Sequence, residues 1–393
     1  MIKPLQNHNK KLKDKTAIVG IGETGYVRRS NRSVRELVLE AVDKALDDSG
    51  IDKHEIDAII TENAVMPSSY PHNEMASDLG IASQFVCGTT GGMAGVLASV
   101  LAGAAAIDSG AANVVLSYFG TTWGSSTGGP YAYHDIYPAK RSFELPYGFY
   151  GQPVYFAPKA HRAMYEYGIS EHQLASVAIN QRKNAIMNGK AQVMKPLTLE
   201  DYLSSPLIAE PLRALDCCVV SDGASAFIMT SRERAMDCRK PPVYVMGAAY
   251  SSSDMPEDSV FTQLPDYLGN IAASRSTYKA LAMADITLDE IDFAEVYDSF
   301  TITLLSELAS LGFVDKADIG AFVEEGNTLI NGRLPVNTHG GMLSHGHALG
   351  INHLVEAVRQ LRSEAGEAQV KNAEIGMIAG ALLGHTTIIL RKS

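Results

Sequence analysis

Ala45-Leu46-Asp47-Asp48-Ser49-Gly50-Ile51-Asp52-Lys53-His54-Glu55-Ile56-Asp57 decides the fold, because the chain carries its landmarks twice. They return as Ala280-Leu281, Ile286 and Glu290-Ile291-Asp292, at a constant offset of 235 residues (280 − 45 and 292 − 57). Further on, Gly91-Gly92-Met93 returns as Gly340-Gly341-Met342, an offset of 249 (340 − 91). Matching order and nearly matching spacing point to a duplicated unit rather than to chance pairs among 34 glycines.

Each copy reads as strand, helix, strand, helix, strand. Thr16 to Ile21 is an apolar strand ending at Gly20 and Gly22. Ser33 can then cap a helix whose apolar positions Val34, Leu37, Val38, Ala41, Val42, Ala45 and Leu46 follow the 3.6-residue period. Ser49-Gly50 stops it, and Ile56 to Thr61 is the next strand. The second copy repeats this as Val243 to Gly247, a helix around Thr277 to Ala284, and Ile291 to Tyr297. Each Gly-Gly opens an apolar helical stretch and then a strand, Asn113 to Ser117 in one copy and Ile375 to Ala379 in the other. Such alternation predicts mostly parallel sheets covered by helices. Between the copies lies a long insertion, about 121–206, rich in Tyr, Gly and Pro, and such insertions usually carry substrate contacts. Gly20-Ile21-Gly22 is only a partial match to a dinucleotide-binding turn and reads as a strand end.

With 393 residues, two or three packed units are expected. A composition 46% hydrophobic and 20% charged argues for an ordered globular chain. The net charge of −11 disfavours nucleic acid, whose phosphates such a surface repels. No apolar run approaches a membrane span, and Met93 to Ile107 reads as a buried helix. Residues 1–15 read as a flexible arm without the apolar core of a signal peptide, so a cytoplasmic protein is expected. The four cysteines show no metal-ligand spacing, and no metal is expected in this chain.

Five ordered motifs then give the chain a family likeness. They are Gly20-Ile21-Gly22-Glu23-Thr24; Pro211-Leu212-Arg213 through Asp216-Cys217-Cys218; Ser221-Asp222-Gly223-Ala224; Glu295-Val296-Tyr297-Asp298-Ser299-Phe300; and Val336-Asn337-Thr338 through Gly346-His347-Ala348-Leu349-Gly350. From Lys15 onwards the chain resembles the thiolase superfamily, in particular the sterol-carrier-protein-type thiolases and their lipid-transfer-like relatives. The resemblance implies an α/β thiolase fold, two duplicated halves in a five-layered αβαβα arrangement with an inserted loop domain. The corresponding boundaries are 16–120 with 207–240 for the N-terminal half, 121–206 for the loop domain and 241–393 for the C-terminal half. It further implies coenzyme A as substrate, a degradative β-oxidation-like role and a homodimer. A small zinc-ribbon/OB-fold partner subunit is implied too, as in benzoylsuccinyl-CoA thiolase and the steroid side-chain aldolases.

Thiolase chemistry needs a thiolate, an acid/base to form it, and donors for the thioester oxygen. His347 matches the histidine of the family's Gly-His-Pro-Leu-Gly turn, with Ala348 replacing the proline. Gly341, Gly346 and Asn337 around it are candidates for contact with the CoA thioester. Cys87-Gly88-Thr89 looks like the family's Cys-Gly-Ser, but the family's cysteine stands 14 residues before the position of Ile107, which here is Met93 (107 − 14). Cys87 is therefore either the nucleophile on a displaced loop or a small buried residue on the preceding strand. Tyr297 replaces the histidine of the family's His-Asp-Cys-Phe, as in the steroid aldolases, and a phenol there can donate to a developing enolate or alkoxide. Asp298 can cap a helix starting near Thr301.

The family's second cysteine is absent, Ala379-Gly380-Ala381 standing in its place, and His385 either replaces that acid/base or faces solvent. Cys217 and Cys218 are expected outside the reaction centre. Trp123, Tyr131, Tyr133, His134, Tyr147 and Tyr150 line either an acyl pocket or a subunit contact. Three functions fit: CoA-dependent cleavage or formation of a β-ketoacyl-CoA by an acyltransferase; retro-aldol cleavage of a β-hydroxyacyl-CoA by a lyase using Tyr297; and a non-catalytic acyl-CoA-binding subunit.

Overall fold

A computed structural model describes residues 12–62, 70–126, 140–253, 268–381 and 384–393. In chain order it contains β1 (Thr16–Glu23), α1 (Val34–Ser49), β2 (Ala58–Glu62), α2 (His72–Leu79), β3 (Phe85–Thr89), α3 (Met93–Asp108) and β4 (Val114–Thr122). Next come α4 (Pro153–Tyr167), α5 (Glu171–Asn188), α6 (Leu199–Leu203) and the short strands β5 (Leu207–Ala209) and β6 (Leu212–Arg213). After them stand β7 (Asp222–Ser231), α7 (Arg232–Ala235), β8 (Val243–Ser252), α8 (Ile271–Ala284), β9 (Phe293–Val296) and α9 (Thr301–Leu311). The chain closes with α10 (Ile319–Glu324), α11 (Gly341–Ser344), α12 (Ile351–Leu361), β10 (Ile375–Gly380) and β11 (Gly384–Lys392).

The strands run in the order β3-β2-β4-β7-β1-β8-β11-β10-β9, and the duplication is written in that order. In the first half β2 and β4 are parallel, β4 and β7 antiparallel, and β7 and β1 antiparallel. In the second, β9 and β10, β10 and β11, and β11 and β8 repeat those senses. Even β3, parallel to β2, has its counterpart in an isolated parallel bridge between Ala294 and Val336. Two residue pairs, Ala17 with Tyr244 and Ile18 with Val243, join the halves back to back.

Strand alternation assigns the layers, because successive side chains face opposite sides. Ile18, Ile60 and Val115 join Val243, Ile378 and Ile388 in a central core that holds α3 and α12 between the two halves of the sheet. Ala17, Val19 and Ile59 turn the other way, onto α1. Met246, Ala294 and Met377 turn onto α8 and α9, joined there by α4 and α5 of the insertion. Helix, sheet, helix, sheet and helix form the five layers, and α3 is apolar nearly all round because both its faces are covered. Gly20 and Gly247 sit at equivalent places: a Cβ on either would come 2.3 Å from a helix carbonyl, that of Ala45 or of Ala280. Each glycine lets its helix lie directly on its strand.

The predicted Ser33 cap forms a full capping box with Glu36, and Gly50 ends α1 in the left-handed region. Its counterpart Asp285 ends α8 in the same conformation. The Gly-Gly pairs also match, with φ of 108° and 62° at Gly91 and Gly92 against 99° and 60° at Gly340 and Gly341. The helices beyond them differ. After Gly92 the helix runs unbroken for 16 residues, whereas after Gly340 it stops at Ser344 and resumes at Ile351. Leu349 and Gly350 take positive φ in that gap, and the gap carries His347.

A Cβ on Gly341 would stand 1.9 Å from Asp298 Oδ2, at a φ that side chains adopt only with strain. Gly341→Ala is expected to destabilise the protein by about 3 kcal/mol, the sum of a left-handed penalty and overpacking. Urea unfolding midpoints check this, and an unchanged midpoint contradicts it.

Candidate active site

His347 is fixed from two sides. Its backbone N–H donates to Ser221 Oγ at 3.0 Å. Its ring meets the edge of Trp123, centroids 4.7 Å apart. Across the gap, the insertion holds the loop in place: Gln192 N–H and Val193 N–H donate to the carbonyls of His345 and Ser344, and Arg182 Nε donates to Ser344 Oγ. The inserted segment thus sets the position of the loop that carries His347.

Cys218, expected elsewhere, faces His347: Sγ lies 3.2 Å from Nδ1. Its N–H donates to Ser299 O, which pulls residues 217–218 across the end of β9. Burial pushes the thiol pKa up, with Cys217 and Asp298 adding to the effect. Burial pulls the imidazole of His347 down to about 3, with a smaller push from His353. Both partners therefore rest neutral, and His347 Nε2 has no hydrogen-bond partner among the described residues. An imidazole with one nitrogen anchored and the other free is suited to move a proton.

Tyr297 leaves β9 beside this pair. Its backbone N–H bonds to Ala379 O, and its Cβ would lie 2.5 Å from a Cβ placed on Gly380. Burial raises the phenol pKa, and Cys218, Glu307 and Asp298 raise it further against the lowering effect of Ser299. Met93 borders the same glycine, its Sδ 2.8 Å from that Cβ position, and also packs over Gly350. Met93 is the first residue of α3, 1% exposed. The helix end that would activate a cysteine therefore holds a thioether, which has no proton to lose.

The other expected site residues are scattered around this centre. Cys87 sits in β3, opposite Ile60 of β2, at the edge of the sheet, and no described contact joins it to His347. His385 is buried and does not face solvent: Nδ1 is 2.7 Å from Ser276 Oγ and Nε2 is 2.9 Å from Glu307 Oε2. Asn337 spends its amide on Val296, accepting from N at 2.6 Å and donating to O at 2.8 Å. Gly346 gives room to the ring of Tyr26, and Gly341 to Asp298. Asp298 does not cap α9; it accepts the N–H groups of Met342 and Leu343 and so caps α11. Of the aromatic set, Trp123 reaches His347 and Tyr147 is 87% exposed. Tyr131, Tyr133 and His134 lie outside the described residues.

A cleft of about 450 Å³, lined by Tyr26, Val27, Arg28, Gln192 and residues 217–220, opens onto Cys218. Deeper, Glu295, His339 and His353 gather three donor atoms within 4.8 Å of one another, a set able to hold a metal ion.

Comparison with known proteins places this geometry in a family. Residues 253–392 match the family described as thiolase C-terminal domain-like. The chain is 33% identical to the steroid side-chain-cleaving aldolase of Thermomonospora curvata, over 88% of this chain and 90% of that one. It belongs to the thiolase superfamily. Within that superfamily it is also 32% identical to an acetyl-CoA acetyltransferase of Methanothermobacter thermautotrophicus, over 92% of this chain and 94% of that one. Among solved structures, the Ltp2–ChsH2(DUF35) aldolase superposes with a TM-score of 0.90 at 32% identity, covering 97% of this chain and 98% of that one. The thiolase fold, the duplicated halves and the likeness to sterol-carrier-type proteins expected from the sequence are met. Both expected reactions, acyl transfer and aldol cleavage, are represented among these relatives. No described helix is long and apolar enough to cross a membrane.

Proposed function

We propose that this thiolase-fold enzyme cleaves, or in reverse forms, the bond between Cα and Cβ of a β-hydroxyacyl-CoA by retro-aldol chemistry. The observation that carries the reading is Met93 at the start of α3, packed against Gly380 beside Tyr297. A covalent acyl-enzyme needs a thiolate at the reacting carbon; a retro-aldol step needs only a base and a donor. His347 Nε2 takes the proton of the substrate's β-hydroxyl. The Cα–Cβ bond breaks, the β-carbon becomes a carbonyl, and the electron pair of the broken bond forms the thioester enolate. Tyr297, still protonated, donates to the enolate oxygen, and the imidazolium returns its proton to Cα. The products are a ketone or aldehyde and a shortened acyl-CoA.

The thioester enters through the cleft at Cys218, where exposed Arg28 offers a cation to the CoA phosphates. The acyltransferase reading has one observation of its own, the pairing of Cys218 with His347 at 3.2 Å. Replacing each cysteine separates the two. Cys87→Ala and Cys218→Ala are expected to keep retro-aldol turnover within about 10-fold, since neither sulfur forms a bond to substrate. A loss of about 10³-fold or more in either, at unchanged fold, favours the covalent route.

The assembly belongs to the same proposal. β3 ends the sheet with its outer hydrogen-bonding edge free of any described strand, and a second copy of the chain covers it in the proposed homodimer. The likeness to the Ltp2–ChsH2(DUF35) aldolase supports a further, smaller partner subunit.

A further inference from the structure

Glu295, His339 and His353 converge from three separate elements: β9, the turn before α11, and α12. All three side chains have 0% exposure. Among the described residues, Glu295 Oε2, His339 Nδ1 and His353 Nδ1 each lack a hydrogen-bond partner, a combination that buried polar atoms rarely show. We propose that these three atoms bind one first-row divalent metal ion of the zinc class, which staples the His347 loop to β9.

The geometry argues for an ion between the donors. His339 Nδ1 and Glu295 Oε2 stand 3.0 Å apart, yet they do not align as a hydrogen bond. Two ligand atoms held tetrahedrally about 2.1 Å from one ion stand about 3.4 Å apart, a separation this pair reaches by a shift of a few tenths of an ångström. The opposite side of each ligand is already occupied, as metal ligands require. His353 Nε2 lies 3.3 Å from Asp298 Oδ1. His339 Nε2 faces the Asn352 amide. Glu295 Oε1 accepts from both N and Oγ of Thr338.

Three acidic side chains crowd this part of the core. Glu295, Asp298 and Glu356 are all fully buried. Arg359 lies 3.9 Å from Glu356 but is engaged by Glu23 at 2.8 Å. His345 stacks on His339, ring centroids 4.6 Å apart. Two imidazoles and one carboxylate suit zinc, cobalt, manganese or ferrous iron better than magnesium or calcium, which favour all-oxygen sites. The competing arrangement is a proton shared between Glu295 and His339, with no metal.

The test uses tag-free full-length protein from cells grown with added Zn²⁺ or Co²⁺, passed through chelator-free gel filtration. Elemental analysis is expected to find about one ion per chain. The Co²⁺ form is expected to show visible d–d absorption with nitrogen ligation. The paired substitution H339N/H353N is expected to lower metal retention by about 10–100-fold or more. Metal-free wild type from both media would overturn the proposal and leave the shared proton. Metal retained equally by the folded paired variant would overturn it too, since the ion then sits elsewhere. If that variant does not fold, the wild-type stoichiometry and the Co²⁺ spectrum decide.

Discussion

Exchanging His347 for alanine is expected to lower kcat/KM by about 10²–10⁴-fold, the usual worth of a positioned general base. The loop itself should survive. Its backbone is held by Ser221, Gln192 and Val193, none of which depends on the imidazole. The ring touches only Trp123 and Cys218 among its described ring and hydrogen-bond contacts, so the stability change should stay within about 1–2 kcal/mol. The pH dependence gives a second readout. Burial holds the folded imidazole neutral down to about 3, so the wild-type profile should carry no ionisation of His347 near the ordinary value of about 6.5. The sign for stability comes from linkage. As pH falls from about 6.5 towards 3, the unfolded chain takes up a proton that the folded one refuses, so His347 costs stability there. His347→Ala removes that cost. Acid unfolding curves should therefore shift in the variant's favour while its activity collapses. Full activity in the variant would remove His347 from the mechanism.

Tyr297→Phe is expected to lower kcat by about 10²–10³-fold, the effect of deleting one preorganised donor to a developing negative charge. The phenyl ring keeps its place over Gly380, so Met93 and the β9–β10 contact stay packed. Because the hydroxyl acts on charge that develops only in the transition state, kcat and kcat/KM should fall together with KM nearly constant. A rise in KM at constant kcat would make Tyr297 a binding residue only. The comparison with Cys218→Ala matters here, since both groups border the same space. An effect at Tyr297 without one at Cys218 is the pattern of a non-covalent centre.

The duplication is legible in the sequence because its landmarks do local work. Ala45 and Ala280 supply the helix carbonyls under Gly20 and Gly247, and Glu55 and Glu290 close equivalent capping boxes. Such residues repeat because backbone geometry repeats. The register that puts Met93 where a cysteine is expected is local spacing too, and Met93 does stand at the first turn of α3. The Cys218–His347 pair is not legible, since 129 residues separate its members and the docking of the 217–221 segment against α11 and the His347 loop joins them. Asp298 departs from expectation for the same reason: a capping residue close to one helix start, at Thr301, turns instead to the start of α11. His339 and His353 carry only a weak signal, as histidines flanking a glycine-rich turn. Their third partner, Glu295, lies on another strand, and no short spacing announces the set.

A centre of this kind should break a carbon–carbon bond without forming an acyl-enzyme. The most direct test measures the requirement for free CoA while a panel of β-hydroxyacyl-CoA and β-ketoacyl-CoA thioesters is offered. Retro-aldol chemistry predicts release of a ketone or aldehyde from a β-hydroxyacyl-CoA at a rate independent of added CoA, with no mass increase on the protein. Cleavage confined to β-ketoacyl-CoA substrates, strictly dependent on free CoA and accompanied by an acyl adduct on a cysteine, would contradict it.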